Sequence, residues 1–292
     1  IKNKIDLIFL DPPYGDSIPY VEFSMIWNSF LKIPVDVNKD ISVSDRDFNK
    51  ENSWLNYKVS LKERIKVFQK LLSKDGKILI TFNNHNIKAW TALLEALHKS
   101  KLYCVSSMYQ IPAVISSKSQ FSKDGSYISD IYSIYKFSKN FIPSSDIKLL
   151  INDLKYAALI REKKITKSVL YRVAFVSILT NNICFTLINK LNGILSDLFI
   201  FKGNTYILKE EYFDKAFNLT LKSICITILK KQKIKKEMDW EEYYRLIIKK
   251  TKSYGVPNPK EVLDNISELA FLEGPKLKLI ENNFIQQELK FK

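Results

Sequence analysis

Glycine is scarce in this chain, and its spacing says more than its number. The 292 residues hold seven glycines (Gly15, Gly76, Gly125, Gly193, Gly203, Gly255 and Gly274), and no two stand in G-x-G spacing. The chain therefore offers none of the glycine-rich turns that let backbone close on a nucleotide-like cofactor. Cysteine is rarer still. Cys104, Cys184 and Cys225 lie far apart and form no C-x-x-C pair, which argues against a disulfide framework or a zinc site and fits a reducing cytoplasm. His85 and His98, the two histidines, have no metal-ligand spacing with carboxylates or thiols, so no metal is expected. No apolar run reaches the roughly 18 residues that span a bilayer. The richest stretch, Leu170 to Leu191, is broken by Arg172, Asn181, Asn182, Asn189 and Lys190, so no membrane partner is expected. The first residue is Ile1 and no signal-peptide pattern follows it, so the expectation is a chain that starts inside a longer protein.

What is abundant is apolar and basic. Hydrophobic residues make up 46% and aromatics 13%, enough for a globular core rather than a disordered chain. Lys and Arg number 46 against 31 Asp and Glu, a net charge of +15. Such an excess favours a polyanionic partner, because each neutralised phosphate releases counterions. An AT-rich coding sequence, which raises Lys, Ile and Asn together, accounts for the same excess. The charge is spread along the chain: residues 1–139 carry 20 Lys and Arg against 14 acids, and residues 140–292 carry 26 against 17.

Up to about residue 138, apolar runs of two periods alternate. Ile5–Leu10 is apolar and continuous apart from Asp6, as in a strand covered on both faces. Tyr20–Leu31 has Val21, Met25, Ile26 and Phe30 at helical spacing. Residues 33–57 are polar and read as a long loop. Leu61, Ile65, Phe68, Leu71 and Leu72 form a helical face, which Asp75-Gly76 should end with a left-handed glycine cap. Lys77–Phe82 is a strand, and Ile87, Trp90, Leu93, Leu94 and Leu97 mark another helix. Tyr103–Ile111 and Ser129–Phe137 are strands with no helix between them and should pair antiparallel. The alternation implies an α/β fold, a mainly parallel sheet with covering helices. Pro143-Ser144-Ser145-Asp146 marks a boundary, so the expected domains are residues 1–140 and a mostly α-helical accessory domain over 141–292. No internal repeat is visible.

The densest chemistry follows the first strand: Asp11-Pro12-Pro13-Tyr14. The lone pair of an exocyclic base amine is delocalised into its ring. Acceptors for the amine N–H groups let that nitrogen become tetrahedral and nucleophilic. The Asp11 carboxylate and the Pro12 carbonyl can be those acceptors. Proline suits its place because its φ is fixed and it has no N–H to compete, and Pro13 shapes the loop further. Tyr14 offers a ring on which a base taken out of its helix can stack. Strand ends are where open α/β sheets bind ligands.

Here the chain resembles the AdoMet-dependent amino-methyltransferases, whose catalytic loop is D/N/S-P-P-Y/F/W, and among them a group of adenine-specific DNA methylases. The likeness continues through Gly15-Asp16-Ser17-Ile18-Pro19-Tyr20-Val21-Glu22-Phe23-Ser24, Trp27 and Leu31. It resumes in Gly76–Phe82 with Ala89-Trp90 and Leu93–Leu97, and spans roughly residues 4–138. The resemblance implies the C-terminal half of a Rossmann-like AdoMet-dependent sheet, with Asp11, Pro12, Pro13 and Tyr14 catalytic. It also implies S-adenosyl-L-methionine as cofactor, duplex DNA with a flipped base as partner, and adenine N6 as the methylated atom. A cognate restriction endonuclease is a possible companion. The family's F-x-G-x-G cofactor turn is absent, so the cofactor-binding residues are unknown and these residues by themselves are expected not to bind AdoMet. The alternatives are an RNA methyltransferase acting on guanine N2, since related families share D-P-P-Y-G, and a non-catalytic nucleic-acid-binding remnant.

Further candidates are less specific. Tyr109, near Pro112 at a strand end, could add a second aromatic against the base, although core packing explains it equally. His85, after Phe82-Asn83-Asn84, could contact substrate or sit solvated in a loop. His98 falls late in a helix, where a dipole contact suffices. Two helices, at about 165–179 and 183–196, precede a hairpin over Leu198–Leu208, an order consistent with a winged-helix DNA-binding unit carrying Lys202 on its wing. Lys230–Lys236 is a basic run suited to phosphates or to a solvated helix face.

Overall fold

The computed structural model describes residues 4–280 apart from 19, 36–39, 44–49, 85, 111–129, 204, 215–216, 218, 232–236 and 252–254. The chain divides into two compact units, Ile1–Leu150 with Ala174–Leu195, and Ile151–Val173 with Ser196–Lys292.

The first unit is built on strands β1 (Ile5–Leu10), β2 (Leu72–Phe82), β3 (Leu102–Gln110) and β4 (Asp130–Phe137), in the order β1-β2-β4-β3. Only β1 and β2 run parallel; β2–β4 and β4–β3 are antiparallel. The antiparallel pairing of β3 with β4 is the one expected from the sequence. The mainly parallel sheet is not observed, because β4 inserts between β2 and β3 and reverses two of the three pairings. The result is a mixed α/β fold. Helix α3 (Ile87–Lys99) buries Trp90, Leu93, Leu94 and Leu97, and the Trp90 indole stacks on Phe175 at 4.4 Å. At the β3 edge, Asn182 takes the Cys104 N–H on its Oδ1 at 2.6 Å and donates its Nδ2 to the Cys104 carbonyl at 3.0 Å.

Three local expectations are corrected. Helix α2 runs Lys50–Leu71, so the polar stretch is helical from residue 50. Its buried positions Ser53, Tyr57, Leu61 and Ile65 repeat every four residues, continuing the downstream face through lysines and asparagines that mask it. Gly76 is no helix cap. It lies inside β2, where a Cβ would sit 2.8 Å from the Ile5 carbonyl oxygen, so glycine there serves the close approach of β1. The pairing shifts register between Ile5 and Leu7 at this place. Third, β1 is not covered on both faces: Leu7 and Phe9 are 62% and 60% exposed. Helix α1 (Tyr20–Leu31) forms as its spacing predicts but buries no residue, and Trp27 and Phe30 are 70% and 79% exposed.

The second unit is helical with two small sheets. Strands β5 (Lys164–Thr166), β6 (Phe199–Lys202) and β7 (Thr205–Leu208) form one sheet, with the hairpin where the sequence puts it. Strands β8 (Glu237–Asp239), β9 (Ala270–Glu273) and β10 (Lys276–Leu279) form the other. The helices of the chain's second part are α4 (Lys148–Leu159), α5 (Lys167–Thr180), α6 (Leu191–Leu198), α7 (Leu221–Lys231), α8 (Trp240–Thr251) and α9 (Pro259–Ile266). A 3-10 turn, Phe185–Lys190, precedes α6. Of these, α4 and α6 begin in the first unit and end in the second, and α5 does the reverse. No described helix is long and apolar enough to cross a membrane.

Candidate active site: the strand-exit loop

The parallel pairing of β1 with β2 sets Leu10 opposite Ile80. The next residues along each strand, Asp11 and Thr81, meet as a consequence. Thr81 donates its hydroxyl to Asp11 Oδ1 at 2.9 Å, and the Tyr14 hydroxyl donates to the same oxygen at 2.6 Å. Asp11 is exposed, and among the described residues no hydrogen bond falls on its Oδ2. Burial raises the Tyr14 hydroxyl pKa well above its ordinary value, and the bond to Asp11 raises it further. Tyr14 is therefore a protonated donor at any working pH. Its ring meets Phe82 edge-on at 5.4 Å, and Phe82 meets Trp90 in the same way at 4.8 Å. The aromatic row ties the loop to the core.

The rest of the loop is held from both sides. From α2, the Tyr57 hydroxyl donates to the Pro13 carbonyl at 2.8 Å. After β2, the Asn84 amide donates to the Tyr14 carbonyl and lies 3.2 Å from both Asp16 Oδ1 and Ser17 Oγ. Asn84 is itself fixed, since its carbonyl takes the Trp90 indole N–H at 2.8 Å. Asn86 caps α3 by accepting from the Lys88 N–H and donates its Nδ2 to Asp16 Oδ2 at 2.9 Å. Gly15 makes the turn. Its φ of +61° lies in the left-handed region, and a Cβ there would meet Ala89 Cβ at 3.0 Å and Trp54 Cη2 at 3.2 Å. A loop pinned at this many points presents Asp11 and the Pro12–Pro13 backbone in one arrangement.

The candidates from sequence fall in different places. Asp11, Pro12, Pro13 and Tyr14 share the strand exit. Tyr109, on β3, pairs with Ile131 of β4, and β2 and β4 stand between its strand and β1. Lys202 lies exposed at the end of β6, in the second unit. His85 and Pro112 lie outside the described residues, as does Gln232–Lys236 of the basic run. Thr81, Tyr57, Asn84 and Asp16 were not singled out by sequence reasoning. Asn84 was visible as part of an Asn-Asn pair at a strand end, but Thr81 and Tyr57 gave no signal. Among the described residues no three His, Cys, Asp or Glu side chains cluster to hold a metal ion.

Replacing Thr81 by Val keeps its shape and removes one of the two hydroxyls on Asp11. A hydrogen bond to a charged group is worth about 1.5–3 kcal/mol, so Thr81→Val should lower kcat about tenfold in the full-length protein with KM little changed. An equal rise in KM at constant kcat would show that Thr81 serves binding and not the placing of Asp11.

A carboxylate, two prolines and an aromatic ring thus stand together where β1 leaves the mixed sheet. The chain belongs to the DNA methylase family: the model of that family, which groups N6 and N4 methyltransferases, matches residues 5–221. The match runs well past residue 138 and takes in the β5–β7 sheet. No curated protein matches the chain.

AdoMet is the methyl donor of this family, and the residues present do not fit its glycine-rich turn. No G-x-G is found among the 292 residues. Gly15, the glycine at the β1 exit, has its Cβ position filled by Ala89, Asn84 and Trp54, so its missing side chain serves packing and leaves no cradle for a ligand.

Proposed function

We propose that this chain carries the base-holding part of a DNA methyltransferase that modifies an exocyclic amine, adenine N6 ahead of cytosine N4. The observation that supports this most is the Asp11–Tyr14 loop, with Oδ1 of Asp11 loaded by two hydroxyls and the loop backbone fixed by Tyr57 and Asn84. In this reading Asp11 Oδ2 and the Pro12 carbonyl accept the two amine N–H groups. Both bonds draw the nitrogen out of conjugation and leave its lone pair available to the methyl carbon. Tyr14 stacks on the extruded base while its hydroxyl orients Asp11. The region up to about residue 140 does the chemistry as half of a Rossmann-like sheet, and the region beyond it recognises the target. Tyr109, His85 and Lys202 are candidate contacts to DNA.

The experiment is product identification. The full-length protein is incubated with labelled AdoMet and separate pools of duplex DNA and structured RNA, and the digested nucleosides are resolved by mass spectrometry. N6-methyladenine from DNA is the expected product, and N4-methylcytosine would keep the class while changing the base. N2-methylguanine from RNA alone would overturn the DNA reading. A folded protein that yields no methylated nucleoside would be the non-catalytic remnant.

A further inference from the structure

From α4 onward, the two 3-10 turns aside (Phe185–Lys190 and Glu210–Tyr212), the described elements run helix, strand, helix, helix, strand, strand, and then do so again. The first series is α4, β5, α5, α6, β6, β7; the second is α7, β8, α8, α9, β9, β10. Each ends in a three-stranded antiparallel sheet whose last strand lies in the middle, β5-β7-β6 and β8-β10-β9. The registers agree residue by residue. Phe199 pairs with Leu208 and Lys202 with Thr205; Ala270 pairs with Leu279 and Glu273 with Lys276. One constant offset carries the first hairpin onto the second. The same offset on the middle strand maps the pairs Lys164–Ile207 and Thr166–Thr205 onto Glu237–Lys278 and Asp239–Lys276. Each hairpin turns at a left-handed glycine in the same place, Gly203 with φ +59° and Gly274 with φ +60°. This order of elements is that of a winged-helix unit, a helix-turn-helix followed by a β-hairpin.

The two copies differ in charge. The β5-β7-β6 strands hold two charged residues, Lys164 and Lys202, both exposed. The β8-β10-β9 strands hold Glu237, Asp239 and Glu273 against Lys276 and Lys278, and both lysines are engaged in ion pairs, with Glu237 and Glu273. The third helix of the second copy is also taken at its first turn, the end that a reading helix turns towards base edges. Asn258 and Glu261 close a capping box there. Arg161, from the first copy's α4–β5 turn, pairs with Glu261 at 2.7 Å and donates to the Gly255 carbonyl at 2.9 Å. Arg161 is only 7% exposed, so this is a packed joint and not a surface contact.

We infer that residues 148–208 and 221–279 repeat one winged-helix order of elements with divided roles, the β5-β7-β6 sheet gripping a DNA duplex through Lys164 and Lys202 and the second copy bracing the α4–β5 turn beside that sheet through Arg161 and Glu261. The choice of DNA as the polyanion rests on the methylase reading; the duplication and the charge asymmetry do not. The family match ends at residue 221, where the second copy begins.

The test is fluorescence anisotropy of the full-length protein with a labelled DNA duplex, without AdoMet, over a range of salt. Lys164→Glu with Lys202→Glu should weaken binding about tenfold or more and flatten the salt slope by about one per lysine. Lys249→Glu with Lys250→Glu, on the exposed face of α8, should leave affinity within about twofold. All four positions are exposed, and matching unfolding curves will verify that both variants are folded. Equal losses from the two double variants, or a loss from the second alone, would overturn the division of roles. Unchanged affinity in the first would remove its sheet from the interface. Methyl transfer plays no part in this readout, so its outcome is independent of whether Asp11 is catalytic.

Discussion

Asp11→Ala is expected to abolish methyl transfer to DNA, with kcat falling at least about a thousandfold, while the protein keeps its fold. The size follows from what the carboxylate does. A preorganised polar group aimed at the reacting atom is worth about 10²–10³ in rate when removed, and here the same side chain also anchors Tyr14. Alanine leaves the hydroxyls of Tyr14 and Thr81 without their shared acceptor. Because Asp11 is exposed, water can replace it there, and the stability cost should be about 1 kcal/mol. Asp11→Asn separates two roles. An amide keeps an acceptor of the same shape but cannot take a proton, so a side chain that only accepts a hydrogen bond should leave Asn well above Ala. Asn as inactive as Ala would mark Asp11 as a base. Turnover retained in Asp11→Ala would sink the assignment of the loop. The measurement is single-turnover methyl transfer by the full-length protein, with urea unfolding of each variant as control.

Stability should fall by about 3 kcal/mol between neutral pH and about pH 4, and His98 should account for it. The sequence suggests a dipole contact for this residue near the end of α3. The structure instead buries the ring against Phe141 and Phe185, with centroids at 5.5 and 6.2 Å. Burial lowers its pKa from the ordinary 6.5 to about 4. The unfolded chain therefore takes up a proton as pH falls through 6.5 while the folded chain does not. Folding stability is undiminished above 6.5, declines as pH falls through the window, and levels off below about 4, where both states are protonated. Carboxylates add their own acid dependence, so the contrast with His98→Leu carries the test. In urea unfolding at a series of pH values, the variant should lose most of the decline between 6.5 and 4. A decline of the same size in His98→Leu would assign it elsewhere.

The strand-exit loop was legible because its signals are local. An apolar run, two prolines and an aromatic ring stand within ten residues, and each constrains backbone by itself. The groups that hold the loop were not, because they reach it only through long-range pairing. Thr81 meets Asp11 through the β1–β2 register, and Asn84 follows from the same pairing. Tyr57 was lost in a stretch whose asparagines and lysines hide a four-residue period. Gly76 misled because glycine before a strand reads as a helix cap, whereas the cause here is the Ile5 carbonyl, which belongs to a strand far away in sequence. The duplication was hidden for a related reason. Between the hairpin segments Leu198–Leu208 and Leu269–Leu279, only Leu198/Leu269, Gly203/Gly274 and Leu208/Leu279 are identical. Backbone pairing fixes the turn glycine and leaves the other positions free to change in charge.

Burial also sorts the three thiols. Cys104 and Cys225 are enclosed, and loss of solvation pushes each up to about 12, so neither forms a thiolate at ordinary pH. Cys184 is partly open. Within these 292 residues, a maleimide or bimane reagent applied to the folded protein thus has its attachment point at Cys184, in the first unit ahead of the 3-10 turn Phe185–Lys190. This part of the chain carries its own position for a fluorescent reporter, beside the Asn182 turn that closes on the β3 edge.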